Sequence, residues 1–92
     1  MRFQKRSIQQ FYENGVHAKS VPAELRKIVH RKLTYLEAAT SLDALRVPPS
    51  NHLEKLKGDL EGFYSIRVNS KYRIIFRWTD EGADNVDVVD YH

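Results

Sequence analysis

Residues 62–78 read GFYSIRVNSKYRIIFRW, and the parity of this stretch decides the fold. Successive side chains of a strand point to opposite faces of a sheet. In residues 62–68 Tyr64, Ile66 and Val68 share one parity; in residues 71–78 Tyr72, Ile74, Phe76 and Trp78 do. Two strands joined through Asn69-Ser70-Lys71 with both apolar sets on the core side place Val68 opposite Tyr72. The same register sets Arg67 opposite Arg73, Ser65 opposite Ile75 and Phe63 opposite Arg77, on the other face. Like charges directly opposite one another destabilise a sheet. Either both arginines reach solvent or a carboxylate elsewhere, or they form an anion site whose repulsion a phosphate relieves.

Working outward, LEKLKGD (53–59) reads as a short strand turned by Gly58, with Lys57 just before the turn. DEGADN (80–85) reads as a polar loop, and VDVVDY (86–91) as the last strand. Towards the N-terminus the period changes. SVPAELRKIVHRKLTYLEAAT (20–40) is the clearest helix, with Ser20 suited to the N-cap region, Pro22 to the first turn and Glu24 to the positive end of the dipole. Leu25, Ile28, Val29, Leu33 and Leu36 form its apolar stripe. Arg26, Lys27, His30, Arg31 and Lys32 are assigned to a basic face suited to RNA phosphates or simply to solvent. SIQQFYENG (7–15) reads as a shorter helix, with Ser7 as cap and Gly15 as stop. RFQ (2–4) suits a short opening strand, and SLDALRVPPSN (41–51) one more helical turn broken by Pro48 and Pro49. Helices followed by an antiparallel meander predict an α+β fold, with the helices on one face of the sheet.

Ninety-two residues suit one domain, 1–92. Hydrophobic residues make up 41% and charged residues 29%, a balance that suits a folded globule rather than a disordered tail. No cysteine is present, which excludes disulfides, thiolate metal sites and a cysteine nucleophile. No stretch approaches a membrane span and no apolar leader follows MRFQKRSIQQ, so the expected location is the cytoplasm. The net charge of +3 allows a polyanionic partner if the basic groups share a face.

His17, His30, His52 and His92 are not spaced as zinc ligands, and no metal or other cofactor is expected. Asp80, Glu81, Asp84, Asp87 and Asp90 suit a solvated acidic stretch better than a metal cluster. No Walker motif, G-x-G-x-x-G or G-x-S-x-G occurs. What remains is Asp90-Tyr91-His92, three proton-carrying side chains at the end of an apolar strand. Histidine is the side chain whose unperturbed titration lies nearest neutrality. Beside two arginines such a tail would have the parts of a metal-independent ribonuclease: a base, an acid, and cations for the charge that develops on phosphorus. The plainer alternative is that Tyr91 packs and His92 dangles. In the strand as written, Asp90 and His92 point one way and Tyr91 the other, so a bulge or bend is needed to gather them.

LEKLKGDLEGFYSIRVNSKYRIIFRW (53–78) followed by VDVVDYH (86–92) resembles the HigB toxins of the RelE superfamily, and the likeness extends to FYENG (11–15) and the VPAEL helix. That resemblance implies a RelE-like fold and an endonuclease that cuts mRNA at the ribosomal A site and so inhibits translation. It implies no metal: the 2′-oxygen attacks the adjacent phosphate. The implied partners are the mRNA and ribosome, a HigA-like helix-turn-helix antitoxin, and operator DNA only through the toxin–antitoxin complex. By position, Asp90, Tyr91 and His92 match the family's catalytic tail and Arg73 the arginine placed on the phosphorane. Lys57 and Arg67 match residues that hold RNA phosphates, and Arg77 is added to them on the same sheet face. Some members carry a catalytic histidine three residues before the Lys-Gly-Asp run. Here that position is Glu54, with His52 nearby, and in a regular strand the two share a parity. A non-catalytic RNA-binding or co-repressor module of the same fold is the alternative.

Overall fold

The computed structural model describes residues 1–90. Helix α1 spans Arg6–Asn14 and buries Ile8 and Phe11. Its N-cap is Lys5, with no side-chain cap, so Ser7 lies inside the first turn rather than at its start. Gly15 ends it at φ +70°, donating to the Phe11 carbonyl at 3.1 Å, a left-handed stop that glycine adopts without a Cβ penalty. A single 3-10 turn, Ala23–Leu25 behind Pro22, leads into α2, Arg26–Ala38. Helix α2 buries Val29, Leu33 and Leu36, and also Lys32. Residues 41–51 make two separate 3-10 turns, Leu42–Arg46 and Pro49–Asn51, divided by the cis Val47–Pro48 bond.

The sheet has four antiparallel strands in chain order: β1 Glu54–Lys55, β2 Tyr64–Arg67, β3 Tyr72–Thr79 and β4 Gly82–Asp90. The register expected from parity is observed: Arg67 lies opposite Arg73, Ser65 opposite Ile75 and Ile66 opposite Ile74. Past the turn, the Val68 amide donates to the Tyr72 carbonyl at 3.0 Å. Ile66, Val68, Ile74 and Phe76 pack with α1 and α2 in the main core, and Tyr64, Tyr72 and Trp78 pack at its margin.

Three expectations for the strands need correcting. The polar loop 80–85 is a tight turn, because β4 begins at Gly82, and Ala83 and Asp84 already pair with Trp78 and Arg77. The opening strand reduces to a parallel bridge between Phe3 and Val86, flanked by Arg2 and Gln4 amide bonds to the Ala83 and Val86 carbonyls. The strand expected over 53–59 pairs only at Glu54 and Lys55, and Gly58–Leu60 turns back as a 3-10 segment.

The β3–β4 register shifts between Ile75 and Arg77. Arg77 pairs with Asp84 but Ile75 with Asp87, so Asn85 and Val86 together face Phe76. This is a bulge, with Asn85 at φ +51°. The extra residue keeps Ala83, Val86 and Val88 on the core side. Val89 packs instead against a second cluster on the opposite face, built on Leu56, Phe63 and Ile75. Among the described residues, no helix is long and apolar enough to cross a membrane.

Candidate active site

The face of the sheet away from the helices carries Arg67, Arg73 and Arg77 around the small apolar cluster of Leu56, Phe63 and Ile75. Arg73 is its most tightly held cation. Its Nη1 donates to Ser65 Oγ at 2.9 Å and to the His52 carbonyl at 3.3 Å. Its Nη2 lies 3.0 Å from Glu54 Oε1, and the arginine side chain is 13% exposed against 49% for the glutamate. Ser65 is fully buried. A hydroxyl, a carbonyl and a carboxylate therefore fix the guanidinium plane, while Glu54 remains half exposed.

Strand geometry explains why these groups meet. Ser65 lies opposite Ile75, diagonal to Arg73, and Glu54 lies opposite Ser65 on β1. Diagonal neighbours on one face are within reach of a long side chain. His52 reaches Arg73 by a different route. It ends the Pro49–Asn51 turn at φ +44°, ahead of β1, so the parity it was expected to share with Glu54 does not apply. Its backbone carbonyl touches Arg73, and the residue also borders a recess beside α2.

The other expected residues divide as follows. Arg67 lies across from Arg73, with its Nε donating to the Asn69 carbonyl at 3.2 Å. Arg77 stacks its guanidinium 4.5 Å from the Phe63 ring centroid. Gly62 makes room for it: a Cβ there would meet Arg77 Nη1 at 2.6 Å. Lys57 is exposed, one residue after Leu56 of the apolar cluster. Asp90 lies opposite Tyr72, on the Ile74 parity rather than that of Arg73, with its carboxylate 3.7 Å from Lys71 Nζ. Tyr91 and His92 fall outside the described residues.

The acidic stretch is dispersed. Asp87 is buried and pairs with Lys5 at 3.3 Å, Glu81 approaches Arg2, and Asp84 sits opposite Arg77. Among the described residues no three His, Asp or Glu side chains gather as metal ligands would.

Two features of the site were not foreseen. Parity gives Ser65 its register but no role, although a small hydroxyl diagonal to an arginine is a signal. Lys32 was assigned to the basic helix face, yet it is 3% exposed. Its spacing from Ile28 and Leu36, four residues either way, puts it on the apolar stripe.

A family model for the RelE-like toxin of type II toxin-antitoxin system HigB matches residues 1–92. The toxin HigB-1 of Vibrio cholerae serotype O1 is 41% identical over 85 residues, spanning 92% of this chain and 90% of that one. The endoribonuclease HigB of Proteus vulgaris is 31% identical over 90 residues, 98% and 96% of the two chains. The fold is also similar to that in a YoeB-YefM complex from Staphylococcus aureus, with a TM-score of 0.61 at 20% identity, over 99% of this chain and 93% of that one.

Proposed function

The chain belongs to the RelE-like HigB toxins of type II toxin–antitoxin systems, and from that premise we propose that it is a ribosome-dependent mRNA endonuclease that cuts without a metal ion at the A site. The observation that carries this reading is the Arg73 site, a guanidinium fixed by Ser65, Glu54 and the His52 carbonyl on a basic sheet face. The endoribonuclease name of the Proteus vulgaris relative supports the chemistry.

In the proposed reaction the 2′-oxygen of one nucleotide attacks the adjacent phosphorus. The bond to the 5′-oxygen breaks, leaving a 2′,3′-cyclic phosphate and a 5′-hydroxyl. A base removes the 2′-proton and an acid delivers one to the departing 5′-oxygen. Arg73 takes the charge that develops on the phosphorane, and its contacts to Ser65, Glu54 and the His52 carbonyl orient the guanidinium before reaction, as electrostatic catalysis requires. Lys57, Arg67 and Arg77 hold neighbouring phosphates. Asp90, Tyr91 and His92 supply the proton-transfer groups, with His92 as the acid. Glu54 or Tyr91 acts as base. Glu54 already sits on Arg73, so the incoming phosphate displaces its carboxylate and frees it beside the 2′-hydroxyl.

The exposed site has few groups to hold a flexible RNA, and misplacing the reacting atoms is costly. The ribosome is proposed to supply that positioning. The cognate partner is proposed to be a HigA-like helix-turn-helix antitoxin, with operator DNA bound only by the toxin–antitoxin complex.

Primer extension on mRNA from cells induced to make the protein tests this reading. New 5′ ends within codons, abolished by Arg73→Ala and by His92→Ala, are expected. Their absence, or full toxicity of both variants, rejects the site. Cleavage by the purified protein on programmed ribosomes, with magnesium already holding them intact, should not change when a transition-metal chelator is added.

A further inference from the structure

Around the edge of the sheet from Arg73 lies a second cationic feature. Strand β1 pairs with β2 only as far as Ser65, and beyond it the Pro49–Asn51 turn packs near the β2 edge. There a recess of about 210 Å³ forms between α2 and the Pro49–Asn51 turn. Arg31, Lys32, Arg67 and His52 line it with Ser50, Ile28 and Val68, and no carboxylate does among the described residues.

Lys32 makes this more than a patch of surface charge. It is 3% exposed. Its ammonium carries three N–H donors, and it reaches one oxygen, Asn51 Oδ1, and the face of Tyr35 at 5.7 Å. It has no acidic partner among the described residues. Asn51 is itself fully buried and is fixed by donating to the Leu45 and Val47 carbonyls at 3.0 and 3.3 Å, so it holds the Lys32 ammonium in place. Burial, and then the charge of Arg31, push the Lys32 pKa below its ordinary 10.5. A buried cation lacking a counter-charge, beside two arginines, is costly as it stands and gains most from an anion.

We propose that this recess is an anion site that takes a phosphodiester of the RNA strand next to the one cut at Arg73. His52 joins the two places, with its carbonyl on Arg73 and the residue itself on the border of the recess. Arg67, opposite Arg73, also borders both. A strand crossing the β2 edge would thus lay one phosphate at Arg73 and a neighbour against Arg31 and Lys32. The assignment of the strand rests on the endonuclease reading; the anion site itself does not.

Isotope-labelled protein titrated with inorganic phosphate at fixed ionic strength tests the site. Saturable amide shifts are expected at Arg31, Lys32, Ser50 and His52. Arg31→Gln and Lys32→Met should each weaken the response about tenfold, the loss of one charge-assisted contact. Shifts that do not saturate, or that persist unchanged in both folded variants, overturn the site. Arg31→Gln is a surface change and keeps the test valid if Lys32→Met fails to fold. A 2′-O-methyl tetranucleotide, which cannot be cut, then tests the strand. Its affinity should fall about tenfold in Arg31→Gln, and less if a methylphosphonate replaces the neighbouring linkage. Unchanged RNA affinity alongside lost phosphate binding overturns the strand assignment. Arg73→Ala should abolish cleavage and keep the phosphate response, so failure of the catalytic reading and failure of the recess are separable.

Discussion

Arg73 shows how a guanidinium on an open sheet is made rigid. Removing one oxyanion-type donor costs on the order of 100- to 1000-fold in rate, and Arg73→Ala is expected to lose that much in single-turnover cleavage. Ser65→Ala removes only the 2.9 Å bond from Nη1 and leaves Glu54 in place. It should lower the rate about tenfold, roughly the worth of one charged hydrogen bond, while leaving ribosome affinity unchanged. A second residue-scale expectation concerns Lys32. Its folded pKa lies below its unfolded 10.5, so between the two values the unfolded chain binds the extra proton and stability rises with pH. Below the folded pKa the penalty is fully present; above 10.5 it is gone. Compared with Lys32→Met, the wild-type protein should therefore gain stability as pH rises through the lowered folded pKa towards 10.5, measured as the difference between their denaturant midpoints. Lys32→Met also leaves Asn51 Oδ1 unpartnered, a constant cost that does not disturb the slope.

The central hairpin was legible in the sequence because both of its faces are decided by parity. Tyr64, Ile66, Tyr72, Ile74 and Phe76 alternate cleanly, and the Arg67–Arg73 pair follows from that register. The last strand was not legible to the same degree. Asn85 adds one residue, so no single parity runs from Ala83 to Val88, and the polar tip was read as loop. Lys32 departs from the basic face because its helical position, not its charge, decides where it lies. The site's basic residues and the Ser65 diagonal are readable in the sequence, but the Glu54 and His52 contacts to Arg73 are not, since they depend on where β1 and the turn before it lie. The bulge has a direct test. A non-glycine residue in the left-handed region costs roughly 1–2 kcal/mol, with Asn the usual exception. Asn85→Val should lower unfolding free energy by about that amount, and Asn85→Gly should not. Both are measurable by urea unfolding.

At the scale of the whole molecule, one main core and one small cluster share the sheet between them. Phe76 is fully buried in the main core. Phe76→Ala should cost roughly 3–5 kcal/mol, as large-to-small aromatic changes do, a large part of the total for a domain this size. Ile75, facing the other way, anchors the cluster that underlies the basic face. Ile75→Val should cost only about 1 kcal/mol, yet it loosens the floor between Arg73 and Arg77, so cleavage should suffer more than stability. Circular dichroism melts run beside cleavage assays would separate the two effects.

The bulge at Asn85 also divides the β3–β4 hairpin into two lengths that keep separate registers. The tip is aligned by Trp78 with Ala83 and by the Thr79 hydroxyl donating to the Gly82 carbonyl, whereas the stem is aligned by Ile74 with Val88. The Asp80–Glu81 turn is thus a port: a short flexible insert there should carry a fluorophore or an affinity handle while the strand that leads to the proposed catalytic tail stays in step.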